Sequence, residues 1–137
     1  MAFKKSPLFG GTGGGYFEDN LTEIVQLIKV DIYSGTYIDS IRYTFKDVYG
    51  NTRDITHGGG GGSLAANIIL AEDEYINFVS IKFGNVIDHL ELETNKGRHF
   101  YAGGTGGGKP VEFSGRISGF YGRAGSLIDA IGFFIPA

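Results

Sequence analysis

Alternating apolar and polar residues mark out short segments along most of the chain and predict β-strands. In residues 37–45, β-branched and aromatic side chains dominate alternate positions, as expected for a strand with one buried face. The same period recurs in residues 81–83, 89–93, 117–120 and 131–135. The pattern therefore predicts an all-β chain built from short strands.

Residues 21–30 have a pattern that also fits a helix. Asn20 and Glu23 have the spacing of a helix capping box, and the apolar residues behind them suit a helical face. The β-branched residues Val25 and Val30 favour extended backbone, and the neighbouring segments read as strands. We therefore expect a strand in this segment as well.

Glycine interrupts the strands in three clusters, which begin at residues 10, 58 and 103. A second motif, Gly-x-x-Ile-Asp, alternates with these clusters and occurs at residues 35–39, 84–88 and 125–129. Chance would give about 0.15 such motifs in a chain of this composition. A β-propeller blade has a similar repeat length, but a propeller needs at least about four blades. The repetition therefore predicts three small sheets around a pseudo-three-fold axis.

Composition narrows the class of protein. The chain has 137 residues, the size of one domain, and contains 24 glycines, 3 prolines and no cysteine. Clustered glycine with little proline excludes collagen, while 42% hydrophobic residues and a net charge of −3 argue against disorder. The lack of cysteine excludes disulfides, thiolate nucleophiles and cysteine-ligated metals. Twelve basic against fifteen acidic residues do not favour binding to nucleic acid.

The start of the chain carries no targeting or membrane signal. Residues 1–5, Met-Ala-Phe-Lys-Lys, are not followed by an apolar segment, and no run approaches the length of a transmembrane helix. We expect one domain over residues 1–137 with no membrane insertion. Because no signal peptide is visible, we expect a cytoplasmic or non-classically released protein, unless the chain is a processed form.

These motifs, in this order, resemble those of the jacalin-related lectins. Residues 119–132, Gly-Phe-Tyr-Gly-Arg-Ala-Gly-Ser-Leu-Ile-Asp-Ala-Ile-Gly, are similar to the C-terminal signature of mannose-binding members, and residues 92–98 form a second family mark. The resemblance implies a β-prism I fold, in which three four-stranded antiparallel sheets have pseudo-three-fold symmetry. It also implies a non-enzymatic lectin for mannose or glucose, without a cofactor and commonly a homodimer or larger homo-oligomer.

The resemblance further implies how each sugar site is built. The Asp of the motif accepts from two sugar hydroxyls, backbone amides of the motif hold ring and hydroxymethyl oxygens, and an amide of a glycine cluster holds a third hydroxyl. An ionised Asp suits such a neutral, hydroxyl-rich ligand, and glycine lets the backbone approach it closely. The implied first site is Gly14, Gly125, Ser126, Leu127 and Asp129; the second is Gly62, Gly35, Thr36, Tyr37 and Asp39; and the third is Gly107, Gly84, Asn85, Val86 and Asp88.

Two features of the sequence bear on specificity. Galactose-binding members of the family carry a free α-amino group at the first glycine cluster, whereas residues 1–9 of this sequence run directly into Gly10. We therefore expect a preference for mannose or glucose and for glycans or glycoproteins that contain them. Family members with three mannose sites carry a tyrosine in each motif, and of these only Tyr37 is present here.

Other functions fit less well. Residues 103–109 match the first part of a phosphate-binding P-loop, but Pro110 replaces the required Ser or Thr and no helical pattern follows. The three histidines, His57, His89 and His99, lie at no metal-ligand spacing, so we expect no metal site. A glycosidase needs two carboxyls within about 5–10 Å, whereas the repeat assigns each Asp to its own site. A structural or protein-binding prism with degenerate sugar sites is the alternative to a lectin.

Overall fold

The computed structural model describes residues 2–137, and within them every regular element is a β-strand, as expected from the alternating pattern. The strands are β1 (Phe3–Lys5), β2 (Phe9–Gly10), β3 (Gly15–Glu18), β4 (Ile24–Ser34), β5 (Ile38–Asp47), β6 (Thr52–Gly58), β7 (Ser63–Ile69), β8 (Ile76–Phe83), β9 (Ile87–Thr94), β10 (His99–Gly103), β11 (Val111–Ser114), β12 (Gly119–Ala124) and β13 (Ile128–Pro136).

The strands form three antiparallel sheets of one design. Their orders are β6-β5-β4-β7, β10-β9-β8-β11 and β1-β13-β12-β3, with β2 also paired to β13. Because β1 and β2 follow each other along the same edge of β13, they together occupy the place of one outer strand. Each sheet is thus a central hairpin with one outer strand on either side. The predicted three four-stranded antiparallel sheets are confirmed.

The core lies between the inner faces of the three sheets. It contains alternate residues of the central hairpins, such as Ile32, Ile41 and Ile81, each at most 1% exposed. Aromatic rings join the sheets: the ring of Tyr43 in β5 lies 4.6 Å from that of Phe120 in β12. Burying each of these side chains contributes about 1.5–3 kcal/mol, so the three faces stabilise one another.

Strands β4 and β12 each begin two or more residues later than the sequence pattern predicts. Strand β4 begins at Ile24, because Leu21 to Glu23 form a turn in which Glu23 has a positive φ of 64°. Asn20 does not cap a helix; its side-chain Oδ1 accepts a hydrogen bond from the N–H of Thr22, at 3.0 Å. Strand β12 begins at Gly119, two residues later than the period suggested.

A buried carboxylate, Asp19, joins two sheets. It follows β3 and accepts hydrogen bonds from the hydroxyl of Tyr43 at 2.5 Å and from the N–H of Phe120 at 2.8 Å. Burial dominates its environment and raises the pKa of Asp19 from 3.8 to about 6, although both hydrogen bonds act in the opposite direction. The folded protein therefore holds this proton more tightly than an unfolded chain does.

The second family mark, residues 92–98, contains Arg98, which forms an ion pair with the buried carboxylate of Glu74. The guanidinium of Arg98 donates two hydrogen bonds of 2.8 Å to the carboxylate of Glu74, which is 4% exposed. The hydroxyl of Thr94 donates a third, at 2.7 Å. These hydrogen bonds, led by those from Arg98, lower the pKa of Glu74 to about 2. Thr94 and Arg98, both in this segment, therefore stabilise the scaffold through Glu74.

Candidate functional site

Each Gly-x-x-Ile-Asp motif forms the turn of a central hairpin and enters the strand that follows. The three turns share one backbone arrangement, in which the N–H of the motif glycine donates to the carbonyl two residues later at 2.9–3.1 Å. The Asp is in each case the second residue of its strand, so its side chain stands at the same end of each sheet. These residues are Asp39 in β5, Asp88 in β9 and Asp129 in β13.

Three glycine loops, residues 10–14, 58–62 and 103–107, connect the two outer strands of each sheet across the hairpin turn. Each loop begins with a glycine at positive φ, namely Gly10, Gly58 and Gly103, packed on the backbone of the Asp. The N–H of the following glycine donates to the backbone carbonyl of that Asp at 2.9–3.0 Å. Each loop is therefore fixed beside the Asp of its own sheet.

In all three sites, the Asp carboxylate lies directly against its glycine loop, since a Cβ at Gly13, Gly61 or Gly106 would lie 2.7–2.8 Å from a carboxylate oxygen of the Asp. A Cβ at Gly14 would lie 2.5 Å from Oδ1 of Asp129, and a Cβ at Gly61 would lie 2.7 Å from Oδ1 of Asp39. Gly14 and Gly62 also have positive φ values of 68° and 72°, which favour glycine. No larger side chain fits between loop and carboxylate.

The third site differs from the other two at the last glycine of its loop. Gly107 has a φ of 94°, its virtual Cβ would lie 2.9 Å from the Cβ of Asp88, and its carbonyl accepts the N–H of Phe83 at 3.1 Å. Residues 108–110 then follow before β11 begins, whereas the other two loops lead directly into their outer strands. The side chain of Asp88 is buried, while those of Asp39 and Asp129 are half-buried.

The structure brings together the residues expected for each site. Gly14 lies with Asp129, Gly62 with Asp39, and Gly107 with Asp88. The glycine and second residue of each motif are exposed at the turn: Gly125 and Ser126, Gly35 and Thr36, and Gly84 and Asn85. The third residue differs, since Tyr37 is 41% exposed whereas Val86 and Leu127 are half-buried. Tyr37 therefore gives the second site an exposed aromatic ring in the hairpin turn that precedes Asp39.

The three sites touch one another in a closed ring. The loop beside Asp129 packs through Gly11 on the carbonyl of Asn85, and the loop beside Asp39 packs through Gly59 on the carbonyl of Ser126. The third contact is a hydrogen bond from the N–H of Gly104 to the carbonyl of Thr36, at 3.1 Å. All three sites consequently lie at one end of the molecule.

Arg123 is a residue of this region that the sequence analysis did not single out. It lies near the end of β12, and its Nε and Nη2 donate to the carbonyls of Gly13 and Gly14, at 2.9 and 2.7 Å. Its position two residues before the motif glycine Gly125 could have marked it in the sequence as a residue near the site. The equivalent positions in the other two sheets carry Tyr33 and Lys82.

Other ligand chemistry finds little support in the described residues. Within residues 2–137, no group of three or more histidine, aspartate or glutamate side chains is placed to hold a metal ion. The ring of His57 is stacked on that of Phe17, with centroids 3.7 Å apart, and His89 and His99 each pair with a glutamate. The P-loop-like segment leads into β11. Within the same described residues, no helix is long and apolar enough to cross a membrane.

Comparison with known proteins gives matches over nearly the whole chain. A family model described as the Jacalin-like lectin domain matches residues 6–134. Horcolin from Hordeum vulgare is 34% identical over 140 residues, covering 93% of this chain and 92% of that protein. Griffithsin from Griffithsia sp. is 31% identical over 124 residues, covering 90% and 89%. The solved structure of a mannose-binding jacalin-related lectin from Ananas comosus superposes with a TM-score of 0.87 at 29% identity, covering 98% and 99%.

Proposed function

Because the chain belongs to the jacalin-like lectin family, whose members bind carbohydrate and are not enzymes, we propose that it binds mannose- and glucose-type sugars at the sites of Asp129, Asp39 and Asp88. The membership expected from the sequence is confirmed. The observation that carries the proposal is the repeated contact between an Asp carboxylate and a glycine loop at one end of each sheet. The mannose-binding relative from Ananas comosus supports the choice of sugar.

The chemistry of the site suits a hexopyranose, which presents several hydroxyls in fixed directions and carries no charge. One carboxylate such as Asp129 can accept from two neighbouring hydroxyls, forming charge-assisted hydrogen bonds. The exposed turn at Gly125 and Ser126 offers backbone N–H donors beside it. Without side chains on Gly13 and Gly14, the sugar can approach the loop backbone directly.

A preference for mannose or glucose over galactose follows from the first loop. The N–H of Gly11 is an amide that donates to the carbonyl of Asp129, and Gly10 belongs to β2, which pairs with β13. The loop thus offers amide donors and no free amine, unlike the loop of galactose-binding family members. The expected ligands are mannose-rich glycans or glycoproteins.

NMR titration of the ¹⁵N-labelled protein with methyl α-mannoside tests the proposal. Binding should shift amide signals of the glycine loops and hairpin turns, with a dissociation constant of about 0.1–10 mM per site, since each hydrogen bond replaces one to water. The triple variant Asp39→Asn/Asp88→Asn/Asp129→Asn should not bind. Asp54→Asn, which alters an exposed carboxylate bonded to Arg42 and Thr44, should bind as the wild type.

Failure of the wild type to respond to any monosaccharide or on a glycan array would overturn the proposal and favour the structural prism. Tighter binding of methyl α-galactoside than of methyl α-mannoside would overturn the specificity alone. Sedimentation velocity on the same samples tests the expected homo-oligomer, which stays a prediction based on the family.

A further inference from the structure

The first site differs from the other two because a guanidinium, that of Arg123, forms hydrogen bonds with its glycine loop. Arg123 donates from Nε to the carbonyl of Gly13 and from Nη2 to that of Gly14. Among the described residues, its side chain alone donates to a carbonyl of a glycine loop. A planar guanidinium holds two donors in a fixed fork, so the pair of bonds fixes the orientation of both peptide groups.

The two hydrogen bonds from Arg123 to the loop carbonyls also hold the neighbouring amides in one direction. In a trans peptide the C=O and the N–H face opposite directions, and the described chain has no cis peptide. With the carbonyl of Gly13 turned to Arg123, the N–H of Gly14 is turned away from it. Within residues 2–137 this N–H has no hydrogen-bond acceptor. A free donor therefore stands at the glycine whose Cα faces Oδ1 of Asp129.

A free donor next to a carboxylate matches a hydroxyl, which donates to one group and accepts from the other. Glycine loops lose more conformational freedom on ordering than other segments. If the sugar itself must order the loop, this entropy loss is subtracted from the binding free energy, so such a loop binds sugar less tightly than one already held in place. In the second and third sites, the equivalent N–H groups of Gly62 and Gly107 also have no acceptor within residues 2–137. Tyr33 and Lys82 occupy the position of Arg123 there, and neither has a guanidinium fork to hold two loop carbonyls at once.

We propose that Arg123 is a positioning residue that holds the glycine loop of the first site in its binding conformation, so that this site is the tightest of the three. The inference rests on the proposed function, because it concerns the affinity of a site that must first bind sugar. Arg123 itself need not touch the ligand, since it acts through Gly13 and Gly14.

Single-site variants isolate the effect. Asp39→Asn/Asp88→Asn leaves the first site, and Asp88→Asn/Asp129→Asn leaves the second. Adding Arg123→Met to the first background should weaken binding of methyl α-mannoside by about 3- to 30-fold in NMR titrations. The same substitution in the second background should leave its dissociation constant unchanged, and Arg123→Lys should give an intermediate value in the first background.

Amide hydrogen exchange adds a readout that does not need sugar. In the free protein, Arg123→Met should speed exchange at Gly14 while leaving exchange in the core strands unchanged. An unchanged dissociation constant in the first background, or an equal loss in both backgrounds, would overturn the inference while leaving the proposed function intact. If the first background does not bind with Arg123 present, the proposed function itself fails at that site. If Arg123→Met does not fold, the comparison of Arg123 with Arg123→Lys decides in the same way.

Discussion

Oδ1 of Asp39 lies where a side chain on Gly61 would begin: a Cβ there would be 2.7 Å from this oxygen. The preceding residue, Gly60, has open space around it, with nothing within 4 Å of its virtual Cβ. Neither glycine has a positive φ, so alanine strains the backbone at neither position. Two adjacent glycines of one loop thus differ only in whether they face the carboxylate.

Gly61→Ala should displace the carboxylate of Asp39 and abolish sugar binding at the second site. Measured by NMR titration in the variant that keeps this site alone, the loss should be at least about tenfold, because the charge-assisted hydrogen bonds are lost. Gly60→Ala is the matched control and should bind as its parent. Equal affinity in both alanine variants would show that the carboxylate of Asp39 does not contact the sugar.

Removing the carboxylates one at a time should count the sites. Each of Asp39→Asn, Asp88→Asn and Asp129→Asn should lower the stoichiometry for methyl α-mannoside by one third. Three sites at one end of the molecule can engage one branched glycan, which raises the apparent affinity by about 10²–10⁴. Because each substitution removes part of this gain, the apparent affinity for high-mannose glycans should fall far more steeply than the stoichiometry for the monosaccharide. Calorimetry with both ligands measures the two effects. If Asp129→Asn alone abolishes binding in a folded protein, the other two motifs are turns without a ligand.

Chelation should leave sugar binding unchanged. Each site has one carboxylate and backbone amides, and no metal-holding group of side chains occurs within residues 2–137. Calorimetric titration with methyl α-mannoside before and after dialysis against EDTA checks this expectation. Loss of binding that calcium or zinc restores would contradict the proposed chemistry.

Asp19 should make stability depend on pH in the unusual direction for a carboxylate. Its pKa is raised from 3.8 to about 6 by burial, so the folded state binds this proton more tightly than the unfolded state. Its stabilising effect is fully present below about pH 4 and is lost as the pH rises through 6. Relative to Asp19→Asn, the wild type should lose about 2–3 kcal/mol of unfolding free energy between pH 4 and pH 7.

Urea denaturation of both proteins at several pH values measures this difference. The control is Asp54→Asn. In the wild type, hydrogen bonds from Thr44 and Arg42 lower the pKa of the Asp54 carboxyl, so the stability difference between this variant and the wild type should stay nearly constant over the same range. A wild type that gains stability over Asp19→Asn as the pH rises would contradict the assignment.

The sequence predicted what is local and repeated. The alternation in residues 37–45 corresponds to β5, and the spacing of Gly35, Ile38 and Asp39 corresponds to a hairpin turn with its Asp at the start of a strand. The pairing of each Asp with a particular glycine loop came from the family resemblance, because strand order cannot be deduced from periodicity alone. Its geometry is now visible at Gly14, Gly62 and Gly107.

What the sequence did not show depends on contacts between distant segments. Arg123 reads as a polar strand residue until β3 and its preceding loop are placed beside β12. The burial of Asp88 accompanies a different last glycine, Gly107, and three extra residues before β11, and local propensity does not encode this combination. Gly132 has a packing role for the same reason: a Cβ there would overlap the ring of Tyr121 on the neighbouring strand.

The first site unites Gly14 with Asp129, whereas the second and third are each built from one short stretch of chain. As a ribosome releases the polypeptide, β4 to β7 are available early, and the second site can form once that sheet closes. The first site, whose loop Arg123 holds, must wait for β13, the last of the thirteen described strands in chain order. The loop of the first site precedes the other two loops in the chain, yet this site is completed after theirs, because its Asp129 lies in β13. A nascent chain halted before β13 therefore lacks the first site, although it already contains all the residues of the other two.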